Sequence, residues 1–202
     1  MKSKKMLWAG LAFVLACSAL TGCGQIARDK KRGIKFSKDN RTLVRYRYEL
    51  PDKSYTVPDG ITEIGDEAFK YARNLETVIL PKSVKRIGWR AFSECEKLTS
   101  VTIPEGVKTI GRGAFAGCPL RSITIPSSMI RIDNGAFRNC KNLESVTLHS
   151  GLTEIGSEAF SGCEKLTRVT IPSSVTEIGY GAFDGCPCES QVKRDYPHLF
   201  KR

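Results

Sequence analysis

Eight cysteines and two histidines are the residues of this 202-residue chain best suited to do chemistry. Five of the cysteines, Cys95, Cys118, Cys140, Cys163 and Cys186, recur at intervals of 22 or 23 residues. A thiol can serve as nucleophile, metal ligand, disulfide partner or lipid acceptor, and its neighbours decide among these. A nucleophile needs a base, but the two histidines are His149, inside the recurring pattern, and His198 in the C-terminal tail, and neither is paired with a nucleophile. Zinc needs about four donors converging on one point, which a linear ladder does not supply. If the intervals mark stacked coils, neighbouring thiols stand roughly 5 Å apart, a spacing that by itself permits disulfides. Parallel stacking, however, points all five the same way, and an odd row cannot pair completely. The expected role is that of buried thiols acting as small hydrophobes. Cys186-Pro187-Cys188 places two thiols around one residue, a poor geometry for a bridge. With no Gly-rich phosphate loop and no catalytic constellation, the chain reads as a non-enzyme without metal or cofactor.

Cys23 belongs to different chemistry. Lys2, Lys4 and Lys5 precede the apolar run Met6 to Leu20, followed by Thr21-Gly22-Cys23. Spanning a bilayer takes about 20 apolar residues, so this shorter run reads as the core of an export signal. Leu20-Thr21-Gly22-Cys23 resembles the lipobox of bacterial lipoproteins, which implies cleavage before Cys23 and acylation of its thiol. Val14-Leu15-Ala16-Cys17 is a weaker second candidate because it leaves a shorter apolar run. Several acyl chains on one cysteine give stable anchoring where a single chain is marginal. The expectation is a protein tethered to a membrane without crossing it, and Gly24 in place of Asp favours the outer membrane by analogy with enteric lipoprotein sorting.

The elements that position these residues are set by a repeat. Phe occurs at 69, 92, 115, 137, 160 and 183, preceded each time by Ala and, five residues before, by Ile. A fixed period near 23 residues is the mark of stacked coils, none of which can bury its apolar face alone. Leu75, Leu98, Leu120, Leu143 and Leu166 each open a Leu-x-x-Val-x-Ile pattern whose last two apolar positions alternate with a period of two, as a half-buried strand requires. Proline ends most of these strands, since it has no N–H to donate to a ladder; His149 takes its place once. Phe and Cys three apart are expected on one face of a helical turn. Where Cys118-Pro119-Leu120 replaces Cys-x-x-Leu, one residue is lost at a corner.

This pattern, from Pro58 to Cys188, resembles the treponemal, BspA-like class of leucine-rich repeat. The expected fold is an α/β repeat solenoid of about 23-residue coils, with a parallel β-sheet on its concave face and short helical turns and extended pieces elsewhere. The segments are read as an export signal over 1–22, a basic tether over 23–36, capping strands over 37–57, leucine-rich repeats over 58–188 and a C-terminal cap over 189–202. Asp133 for Gly, Ala72 for the first Cys and His149 for Pro depart from the consensus and bear on local turns. The resemblance implies a lipid-anchored surface adhesin that contacts host extracellular-matrix proteins such as fibronectin or fibrinogen. A scaffold facing the periplasm is the competing reading.

Charge excludes one class of partner. The net charge of +11 is concentrated near the N-terminus, while Pro58 to Cys188 carries 15 bases and 15 acids. Affinity for nucleic acid comes largely from neutralised phosphates, and this body has no net positive charge to supply it. Acids such as Glu63, Glu154 and Glu177 read as a solvated face. The outward strand positions are small and polar. One column holds Thr56, Ile79, Thr102, Thr124, Thr147 and Thr170, and the next holds Thr77 and Arg168 among serines. Arg121 and Glu144 lie in a third. The bland reading is a β-surface kept soluble by Ser and Thr. The functional one is a docking face for a protein partner, on which Thr77, Ile79, Thr102, Arg121, Thr124, Glu144, Thr147, Arg168 and Thr170 are the candidate contacts.

Overall fold

The computed structural model describes residues 22–200; residues 1–21 of the expected export signal, and Cys17 with them, lie outside the described residues. All but the last coil open with a short strand that presents its middle apolar residue inward between outward-facing neighbours, the period-two pattern of a half-buried sheet. β3 (Ser54–Thr56), β5 (Thr77–Ile79) and β7 (Ser100–Thr102) run parallel and in register, with Ser54 beside Thr77 beside Ser100. β9 (Ser122–Thr124) and β11 (Ser145–Thr147) form a second parallel pair. Tyr55, Val78, Val101 and Ile123 are the buried middle residues.

A second wall is made of two-residue strands. β4 (Glu63–Ile64), β6 (Arg86–Ile87) and β8 (Thr109–Ile110) pair in parallel, as do β10 (Arg131–Ile132), β12 (Glu154–Ile155) and β13 (Glu177–Ile178). Their isoleucines are buried to the last one. Glu63 and Glu154, expected on a solvated face, are ion-paired across coils here: Arg86 binds Glu63 and Asp66, and Arg131 binds Glu154, with Asp133 of its own coil beside it.

The third wall, carrying Ala-Phe-x-x-Cys, is not the helical turn expected from the sequence. It is a succession of turns with N–H groups donating three residues back, such as Ala91 to Gly88 and Cys95 to Phe92. Two positions in every coil hold positive φ. Glu67, Arg90, Gly113, Gly135, Glu158 and Gly181 form one column, and Tyr71, Glu94, Gly117, Asn139, Gly162 and Gly185 the other. A left-handed residue on each side of Phe interrupts any right-handed helix. The freed N–H groups turn outward to the next coil: Phe69 donates to Ala91, Phe92 to Ala114, Phe115 to Ala136, Phe137 to Ala159 and Phe160 to Ala182, at 2.7–2.8 Å.

Inside this wall the six phenylalanine rings stack with centroids 4.8–5.5 Å apart and planes within 12° of parallel. Tyr46 adds a further ring, 5.2 Å from Phe69, and its N–H donates to Ala68. The Tyr46–Phe69 interval is 23 residues, so the period extends one coil further toward the N-terminus than the phenylalanines show.

Both sheets break at the same place, between β7 and β9 and between β8 and β10. That coil is the one lacking a residue, and Phe115 and Phe137 lie only 22 apart. A shortened coil cannot keep three walls in register at once. The Phe115–Phe137 rings stay parallel within 1°, so the corner holds and the strand ladders yield.

The ends are closed by added elements. A helix over residues 22–31 buries Ile26 and Asp29, and Ile34 after it is buried as well. β1 (Lys35–Phe36) then runs antiparallel to β2 (Thr42–Arg45), which pairs with β4. The 23–36 segment is therefore a folded cap, not a tether. Its apolar side chains face the first coil, whose Tyr55 hydroxyl donates to Asp29 at 2.7 Å. At the other end a helix (Glu189–Asp195) and a 3-10 turn (Pro197–Leu199) bury Val192 and Leu199, and Phe200 bridges to Ile178.

Candidate functional site

The strand wall displays the residues expected to contact a partner. Thr102, Thr124 and Thr147 point outward and are exposed, flanked by exposed Arg121 and Glu144, while Thr77 is half-buried. Ile79 stands out of this polar row with 50% of its surface exposed. Thr124 and Thr147 are direct neighbours in the β9–β11 register, whereas Thr102 belongs to the other sheet.

Arg168 and Thr170 do not complete the face as the sequence predicted. Residues 167–171 form no strand, although Val169 and Ile171 remain buried. The C-terminal cap competes for the backbone there. Cys188 N–H donates to the Leu166 carbonyl at 3.0 Å, and Ile171 N–H reaches the Tyr196 hydroxyl at 3.4 Å. The result is an open cleft of about 760 Å³ between residues 144–150 and 167–173, with the exposed Arg168 and Thr170 among its lining. His149 keeps the turn that its prolines make elsewhere, accepting the Leu152 N–H at 3.1 Å as Pro81 accepts that of Val84.

Cys118 and Cys140, in the middle of the cysteine column, are chemically quiet, whereas hydrogen bonding with Cys163 and Cys188 draws the Cys186 thiol downward. Each thiol donates to the carbonyl of the phenylalanine one coil earlier, Cys95 to Phe69 and Cys118 to Phe92 at 3.0 Å, Cys140 to Phe115 at 3.2 Å, Cys163 to Phe137 at 3.3 Å and Cys186 to Phe160 at 2.9 Å. Burial pushes the Cys140 thiol up to about 12 and that of Cys118 upward too. A thiol held protonated is a poor nucleophile and a poor metal ligand. Among the described residues, no group of three or more His, Cys, Asp and Glu is placed to hold a metal ion.

Cys23, the expected lipid acceptor, is exposed on the N-terminal helix. Three residues on, Ile26 is buried, and Gln25 Nε2 donates to the Thr56 carbonyl at 2.7 Å. Arg32 of the basic segment is drawn inward by Asp52 and Asp29, and Lys30 donates to Asn40 at 2.7 Å. Tyr46 donates to Asp52 at 2.5 Å, and burial with this carboxylate holds its hydroxyl well above the usual phenol range. This buried network was not read from the sequence. The interval placing Tyr46 in the phenylalanine column was the available signal.

Six copies of the BspA type leucine rich repeat region match residues 62–189. A leucine-rich repeat protein from Eubacterium ventriosum superposes with a TM-score of 0.60 at 27% identity, over 76% of this chain and 48% of that one. A leucine rich cell surface protein from Faecalibacterium prausnitzii does so with a TM-score of 0.55 at 29% identity, over 78% and 53%. A leucine-rich repeat protein from Bacteroides ovatus has a TM-score of 0.54 at 26% identity, over 75% and 48%. This chain thus spans about half the length of each. No curated protein matches it. Period, stacked phenylalanine corner, parallel two-wall ladder and profile agree, and the chain belongs to the BspA-type leucine-rich repeat family.

Proposed function

We propose that this protein is an exported, lipid-anchored binding module that holds a protein partner on its strand wall. The observation that carries the reading is that wall. Hydroxyl side chains stand in register within β5–β7 and again within β9–β11, with Ile79 exposed beside the first set. Such a surface costs less to desolvate than a charged one, since Ser and Thr carry no charge that must be stripped of water. Solenoids commonly bind macromolecules on extended faces of this kind. Acylation at Cys23 is supported by its exposure and by the lipobox-like residues before it. Outer-membrane location rests on Gly24 by analogy with enteric lipoprotein sorting, contact with a host matrix protein rests on the family resemblance, and the cell-surface description of the F. prausnitzii relative supports surface display.

With the N-terminal helix packed onto the first coil, an acylated Cys23 puts the solenoid against the membrane with little intervening chain. Protease treatment of intact cells tests the display. Loss of the repeats from the cell surface supports the adhesin-like reading. Full protection that disappears on permeabilising the outer membrane would establish a periplasm-facing scaffold in its place.

A further inference from the structure

A different wall carries a second site. Arg90, Arg112 and Arg138, from three different coils, line one cleft of about 230 Å³ on the turn corner. The cleft is open because the column positions around it are small, with Gly113, Gly135 and Ala116 in its lining. Glu158 is the carboxylate there, and it is engaged by Arg138 at 2.7 Å. Neither Arg90 nor Arg112 has a carboxylate within ion-pair distance among the described residues. The concentration of positive charge is local, since the repeats as a whole carry 15 bases and 15 acids.

Arg90 is also positioned in advance. It holds φ at +47° in a column that is glycine in three coils, a conformation that bulky side chains adopt at a steric cost. Its guanidinium lies 4.8 Å from the centroid of the Trp89 ring, which is 40% exposed. Stacking on an indole fixes the plane of a guanidinium and leaves its N–H donors unspent, which a carboxylate partner would not do. A planar fork with free donors matches the oxygens of an oxyanion.

We propose that this corner is a binding site for an anionic polysaccharide, one of whose sulfate or carboxylate groups enters the cleft between Arg90 and Arg112. The exposed indole beside it offers an apolar surface to the sugar, and the basic line ends there, since Glu67 takes the place of Arg90 one coil toward the N-terminus and pairs with Lys70. This site lies on the turn corner and does not depend on the strand wall binding a protein.

Calorimetric titration of the full chain in detergent micelles with a heparin-derived oligosaccharide tests the proposal. Parallel titrations use an unsulfated polyuronate oligomer, inorganic sulfate and a poly-glutamate peptide. The expected result is saturable binding of at least one glycan that weakens with salt and falls roughly tenfold or more in R90A/R112A, which loses both charge-assisted forks. Arg90→Lys, which keeps charge but loses the fork, is expected to fall in between, and Lys165→Ala, in the fifth coil's variable segment, to bind normally. Glycan binding unchanged in the folded R90A/R112A protein, or no glycan binding at all, overturns the site. Equal affinity for inorganic sulfate overturns the polymeric ligand, and equal affinity for poly-glutamate makes the corner a peptide site.

Discussion

The thiol of Cys118 donates to the carbonyl of Phe92, 26 residues earlier and one coil below, at 3.0 Å. The same bond recurs from Cys95 to Cys186 and ties the cysteine column to the phenylalanine column across each coil interface. None of these thiols is thus spare, and burial keeps those of Cys118 and Cys140 protonated. They supply a weak, apolar-compatible donor inside a buried wall.

Alkaline pH exposes this role. The folded state holds the Cys140 thiol protonated up to about 12, while an unfolded thiol ionises near 8.5. The unfolded state therefore sheds protons that the folded state keeps. Stability is fully present below pH 8.5 and is lost as pH rises toward 12, by about 1.4 kcal/mol per unit for each such thiol. Cys140→Ala, using the residue that stands at position 72 of the first coil, is expected to lower stability at pH 7 but to flatten this decline. Urea unfolding at pH 7, 9 and 10.5 checks it; parallel declines for both proteins would show that the thiol is not a source of the loss.

The ring stack makes a second, larger prediction. Phe115 lies 5.0 Å from Phe92 and 5.5 Å from Phe137, fully buried and next to the point where both sheets break. With the strand ladders interrupted there, the corner carries the continuity between the two halves. Phe115→Ala is expected to cost about 3–5 kcal/mol. It should also split cooperative unfolding, with hydrogen exchange accelerating most on the side of the break nearer the mutation. A single transition of unchanged cooperativity would mean that the interrupted sheets, not the rings, hold the halves together.

What was legible in the sequence follows from where the information resides. The coil class, the inward residues of each strand and the buried cysteine column were readable because burial imposes a period on side chains, as at Phe92, Phe115 and Phe137. The turn corner was read as helical because Phe and Cys three apart suit a helix as well as a chain of tight turns. The positive φ at Glu94 and Asn139 was not visible, as these residues are not glycine. The folded cap was hidden by composition. Its lysines and arginines suggested a tether, while Ile26, Asp29 and Ile34, which anchor it, are only three residues in a charged stretch. The loss of a strand at 167–171 depends on competition from Tyr196 and Cys188, which is tertiary and leaves no local mark.

Lipidation makes the third prediction. Cys23→Ala is expected to abolish incorporation of radioactive fatty acid and to leave an unprocessed precursor, because the thiol is both acceptor and cleavage determinant in the lipobox reading. The solenoid should fold regardless, since Cys23 is exposed and the cap is anchored by Ile26 and by the Tyr55–Asp29 hydrogen bond. Label retained in the variant would move acylation to Cys17 or remove it from this protein altogether.

The strand wall is tested by placing charge on it. Glu at Thr102, Thr124 and Thr147 changes three exposed positions, where a surface substitution usually costs less than about 0.5 kcal/mol. Thr124 and Thr147 are direct cross-strand neighbours, so that pair adds a like-charge penalty of up to about 1 kcal/mol. Thr102 adds little to it, because β7 and β9 are not paired. The fold should survive with a slightly lower melting temperature. Binding to immobilised fibronectin or fibrinogen, the partners implied by the family resemblance, should fall sharply, since three uncompensated carboxylates would have to be desolvated in the interface. The same triple variant leaves the arginine corner untouched, and its response to heparin-derived oligosaccharide should equal that of the parent. Matrix protein binding that persists in the folded variant would displace the partner from the strand wall, and binding lost only in R90A/R112A would place it on the corner.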